Sequence, residues 1–114
     1  MNYSTEVKEN ILFIFLKGDL LGESNGIELV DLVNDKINEN INLCAIDLSN
    51  VRYMNSSGIG VLITILTKFR NKGGEVALVN PSEQIKKLLV ITKLNAIFTI
   101  VNNEQEAKSK LTSK

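Results

Sequence analysis

Histidine is missing from this chain, and cysteine and proline occur once each, as Cys44 and Pro81. Without histidine there is no Ser–His–Asp arrangement, and both the commonest general base and the commonest metal ligand are gone. A lone cysteine forms no intrachain disulfide and cannot build a zinc site without partners, and it fits a reducing compartment. Cys44 lies in the apolar run Leu43-Cys44-Ala45-Ile46, which reads as a small buried hydrophobe. Excess charge is also absent: Lys plus Arg and Asp plus Glu each number 13. No global field therefore draws in nucleic acid or an anionic membrane. Apolar runs such as Ile11 to Leu16 are far too short to span a bilayer. The polar start Met1-Asn2-Tyr3-Ser4-Thr5-Glu6 does not resemble a signal peptide, so a soluble, cytoplasmic chain is expected.

What is present suits an ordinary globular domain, with 44% hydrophobic and 23% charged residues in a chain of 114. A domain of this size buries roughly two-thirds of its extended-chain surface, enough for a core without staples. Strands and helices alternate along it. Ser4 to Glu9 and Ile11 to Lys17 predict a hairpin turning at Glu9-Asn10, and Gly18 and Gly22 bracket a loop. Ser24 or Asn25 opens a helix whose stripe runs through Ile27, Val30, Val33 and Ile37. Leu43 to Leu48 predicts a buried strand, and Val51 to Met54 a connection. A second helix spans Ser57 to Asn71, with Val61, Leu62, Ile65, Leu66 and Phe69 inward, and stops at Gly73-Gly74. A strand follows over Glu75 to Asn80. A third helix starts at Pro81-Ser82, with Lys86 and Lys87 outward. Ile97 to Val101 predicts the last strand, and Asn103 to Leu111 a helix facing inward through Ala107 and Leu111. The expected fold is one α/β domain over residues 1–114. Its mixed sheet has about four or five strands, with about four helices packed mainly on one face.

One stretch is not accounted for by packing alone: Tyr53-Met54-Asn55-Ser56-Ser57-Gly58-Ile59-Gly60. A strand-to-helix connection here offers hydroxyls and glycines at a helix start. Asn55 or Ser56 can cap the helix, and the glycines permit tight turning or close packing. Each glycine costs roughly 1 kcal/mol relative to alanine in a helix. Free backbone N–H groups at such a start favour an anion, so the fold would tolerate a phosphoserine. The catalytic motifs that use serine and glycine are incomplete. Gly-x-Ser-x-Gly is unmatched, Gly58-Ile59-Gly60 lacks the third glycine of a dinucleotide site, and no Gly-Lys-Ser/Thr follows. Neither catalysis nor a cofactor or metal is expected.

These residues resemble the anti-sigma-factor antagonists, small members of the STAS domain family. The likeness spans Gly18-Asp19-Leu20, Ile46-Asp47-Leu48, the segment Tyr53 to Leu62, the Gly73-Gly74 turn and the Ile85 to Leu94 helix. In that family the motif usually reads Asp-Ser-Ser/Thr-Gly-Leu-Gly. The serine after the acidic residue is phosphorylated by an anti-sigma factor that is itself a serine kinase. The unphosphorylated antagonist binds that kinase and frees the sigma factor, and a metal-dependent serine phosphatase resets it. The resemblance implies Ser56 as phosphoacceptor. It implies a partner surface of Asp19, Leu20, Ser24, Asn55, Ser56, Ser57, Gly58 and Ile59, on which Lys in place of Leu20 or Ile59 weakens binding without unfolding. The chain departs from the pattern at Asn55, usually Asp, and at Leu21, where many relatives are acidic. Two other functions stay open: a constitutive scaffold subunit of a transport or signalling complex, and a small nucleotide- or phosphate-binding protein.

Overall fold

The computed structural model describes residues 2–22 and 24–112, with residues 24 and 25 described by backbone alone. Strands β1 (Asn2–Lys8) and β2 (Ile11–Leu20) form the opening hairpin. Its two turn residues, Glu9 and Asn10, both take positive φ, 54° and 63°. That mirror-image turn matches the natural twist of the two strands, and asparagine tolerates it well. The chain continues through α1 (Ser24–Asn38), β3 (Leu43–Met54), α2 (Ser56–Arg70), β4 (Glu75–Val79) and α3 (Glu83–Ile91). A 3₁₀ turn at Leu94–Ala96, β5 (Thr99–Val101) and α4 (Glu104–Thr112) complete it.

The sheet order is β1-β2-β3-β4-β5, with only the β1–β2 pair antiparallel. Each of α1, α2 and α3 thus joins a strand to its immediate parallel neighbour, always stepping the same way. Such crossovers are almost always right-handed, so a steady direction places all three helices on one face. Burial agrees. Leu29 and Val33 of α1, Leu62 and Ile65 of α2, and Ile85 and Leu89 of α3 share one core with the alternate strand residues Ile14, Ile46 and Leu78. The opposite face, through Phe13, Ala45, Ala77 and Val101, is covered by Ala107 and Leu111 of α4. Burial on both faces explains why β2 to β4 read as continuous apolar runs.

Several boundaries move from the sequence reading. Gly18 lies inside β2, which runs to Leu20, and Val51 to Met54 are strand, not connection. Phe15 pairs with Asp47 but Lys17 with Asn50, so β3 carries one extra residue there. The Asp47 carboxylate accepts from the Ser49 N–H at 2.8 Å, and the strand resumes with Val51 and Met54 buried. The polar bulge disguises that continuation. Ile27, expected inside, is 66% exposed, and α1 turns Gly26, Leu29 and Val33 inward. The last strand is shortened because the chain first makes the 3₁₀ turn, leaving Ile97 at the surface.

Candidate functional site

The end of β3 sets the position of the site. Met54 is buried in the core, and the next residue, Asn55, stays extended (φ −97°, ψ −177°) while α2 begins at Ser56. The Asn55 side-chain oxygen accepts from the Gly58 N–H at 2.8 Å, which resolves the cap in favour of Asn55. Its own N–H donates to the Leu20 carbonyl at 3.3 Å, and its carbonyl accepts from the Ile59 N–H at 2.9 Å. Both faces of the turn are therefore tied, one to the helix and one to the end of β2.

Ser56 and Ser57 occupy the first two helical positions, and both are exposed. N–H groups there have no intrahelical acceptor, and the first turn contains no acidic residue. The positive end of the α2 dipole is thus met by the neutral Asn55 cap, with no charged side chain in the first turn. Among the described residues no carboxylate hydrogen-bonds either serine.

Glycines bring the two strand-to-helix connections together. A Cβ on Gly58 would collide with the Leu20 carbonyl. One on Gly22, whose φ is +72°, would sit 2.6 Å from the Ser57 Cβ, and one on Gly26 would sit 2.9 Å from a Val61 methyl. Gly58 is needed where it is. Gly60 differs: among the described residues a Cβ there meets nothing within 4 Å.

The sequence-predicted partner residues divide accordingly. Ser56 and Ser57 are exposed, while Asn55, Ile59 and Asp19 are half-buried. Asp19 is held by Arg52, with Nε 3.4 Å from its carboxylate. The Ser24 side chain lies outside the described residues. One assignment is corrected. Leu20 is wholly buried, so its side chain is not presented to a partner, and its carbonyl serves as the anchor for Asn55 instead. Gly58 is buried against that carbonyl. Leu20→Lys would place an ammonium group in the core and unfold the domain, contrary to the sequence expectation. Sequence reasoning missed Gly26 and exposed Ile27, because a helical stripe of Ile27, Val30 and Val33 reads as core. The only clue was the unused Gly26 inside a helical pattern. Cys44 is fully buried, and desolvation pushes its thiol well above the ordinary range, so no reactive thiolate forms there.

The sequence model of the STAS domain matches residues 2–107. The chain belongs to the STAS domain family. Among similar proteins, the anti-sigma-B factor antagonist of Listeria monocytogenes is 33% identical over 109 residues, covering 93% of this chain and 95% of that one. A crystal structure from Thermotoga maritima superposes with TM-score 0.86 at 25% identity, covering 96% of this chain and 93% of that one. The Bacillus cell fate determinant SpoIIAA, solved in its phosphorylated form, gives 0.74 at 20% identity, with 96% and 98% covered. That last likeness concerns the fold. This STAS domain therefore stands among relatives named anti-sigma factor antagonists. None of its described helices is long and apolar enough to cross a membrane.

Proposed function

We propose that this STAS domain is a cytoplasmic anti-sigma factor antagonist. Unphosphorylated, it binds an anti-sigma serine kinase and releases the sigma factor; phosphate on Ser56 ends that binding, and a metal-dependent serine phosphatase restores it. The observation that carries the reading is the exposed Ser56 at the first position of α2, in a turn with no acid of its own. A phosphoserine brings about −1.5 to −2 charges at neutral pH. The uncompensated helix terminus accepts that charge, so the fold survives it. A bound partner does not, because the phosphate must lose water against a surface that docks a neutral serine. The anchors on Leu20 and Gly58 keep the turn in place in either state, so the change is one of charge and not of shape. The name of the Listeria relative and the phosphorylated form of SpoIIAA support the same reading.

The test is to incubate the chain with each anti-sigma serine kinase of its source organism and ATP, map the phosphate, and measure binding. Phosphate on Ser56, with Ser56→Asp binding far more weakly than Ser56→Ala, is the expected result. Equal binding by the two variants, or no phosphate on Ser56, would defeat the proposal.

Asn55 favours a second reading, a constitutive scaffold subunit. Asn keeps the cap but lacks the carboxylate the family usually carries there. Recovery of transport or signalling subunits in place of a kinase would decide for it.

A further inference from the structure

Gly60 is the residue that neither the fold nor the phosphorylation reading uses. It stands one turn into α2, in the stripe Ser57, Gly60, Val61, Thr64 that faces α1 across a shallow groove of about 340 Å³. Among the described residues a Cβ there would meet nothing within 4 Å, so their packing does not ask for a glycine, and helix propensity opposes one. The rest of the groove is apolar in effect. Gly22, Gly26, Val30 and Val61 line it; of its two hydroxyls, Ser57 stands at one end and Thr64 is already spent on the Gly60 carbonyl at 2.8 Å. Ile27 stands at its edge, 66% exposed.

Charge says what kind of partner fits. Glu28, Asp31 and Asp35 follow one another at spacings of three and four along the exposed side of α1, and Asp31 lines the groove itself. Like charges at these spacings repel, and among the described residues none of the three has an ion-pair partner. An apolar slot with an acidic rim suits an apolar side chain flanked by Lys or Arg. The slot begins at Ser57, beside the phosphoacceptor, so one partner can cover both.

We infer that the α1–α2 groove is a second half of the kinase-docking surface, in which the bare backbone at Gly60 admits an apolar, basic-flanked segment of the anti-sigma kinase. This rests on the antagonist reading above and extends it to a contact that phosphate does not touch directly.

The decisive variant is Gly60→Ala, which adds one methyl group to the groove floor. It should raise the melting temperature by roughly 3–6 °C, as an alanine replacing an unneeded helical glycine does. Its affinity for the kinase that phosphorylates Ser56 should fall at least about tenfold, equivalent to about 1.4 kcal/mol. Gain in stability with loss of binding is a pair of results that a structural role for Gly60 does not produce. As a second arm, Asp31→Lys should weaken binding at low salt and lose the difference at high salt. Wild-type affinity in Gly60→Ala overturns the inference; if Ser56→Asp still abolishes binding in the same assay, the antagonist reading survives it. A wild-type chain that binds no such kinase removes both.

Discussion

Two helix starts on the same face of the sheet differ in a telling way. Both α2 and α3 follow a parallel strand, and in both a polar cap accepts from the N–H three residues on: Asn55 from Gly58 at 2.8 Å and Ser82 from Ile85 at 3.3 Å. At α3 the remaining choices favour stability. Glu83 meets the positive helix end and pairs with Lys86 at 3.3 Å, and Ile85 fills the core. At α2 the corresponding positions hold Ser56 and Gly58. The first leaves the helix terminus open to an external anion, and the second lets the turn press onto the Leu20 carbonyl. The α3 start is finished by its own residues. The α2 start has a neutral cap and no acid in its first turn.

Substitution at the third helical position should break the symmetry most strongly, and for opposite reasons. Gly58→Ala forces a methyl group into a backbone carbonyl and should cost about 3 kcal/mol in urea denaturation. Ile85→Ala leaves a cavity and should cost a similar amount, about 2–4 kcal/mol. A harmless Gly58→Ala would mean that the β2–α2 contact is looser than described. Removing the caps should then bring the two starts level: Asn55→Ala and Ser82→Ala should each lose about 1 kcal/mol of stability. A smaller contrast comes from adding charge. Asn55→Asp should gain about 0.3–1 kcal/mol because the first turn of α2 holds no acid, whereas Ser82→Asp should gain less beside Glu83. Equal gains would show that the missing acid at α2 has no electrostatic consequence. The smallest effect on the fold is expected from Ser56→Asp, within about 0.5 kcal/mol of wild type, although on the proposed function the same variant should lose kinase binding. A large destabilisation there would remove the claim that this helix end receives charge freely.

Much of this was readable from residue types. Asn-Ser-Ser-Gly after an apolar strand announced the helix start, and the apolar runs of β2, β3 and β4 marked a sheet covered on both sides. The length of β3 was not readable, since Ser49 and Asn50 look like a loop until the bulge at Asp47 is seen. Nor was the rotation of α1. Periodicity puts Ile27 inside, but the close approach of Gly26 to Val61 turns the helix so that Ile27 faces outward. The same kind of fact separates Gly58 from Gly60: two identical letters, one pressed against backbone and one with no close neighbour among the described residues. Contacts between distant segments decide such cases, and local spacing carries no record of them.

The antiparallel hairpin has a practical consequence for experiments. Because Asn2 pairs with Lys17, β1 begins at the end of the sheet where β2 hands over to α1, and Asn2 shares a cleft with Asp19, Arg52 and Ser82. An affinity tag or fluorescent protein fused ahead of Asn2 would emerge beside Asp19, a residue of the proposed partner surface, and its bulk would mimic the loss of a contact there.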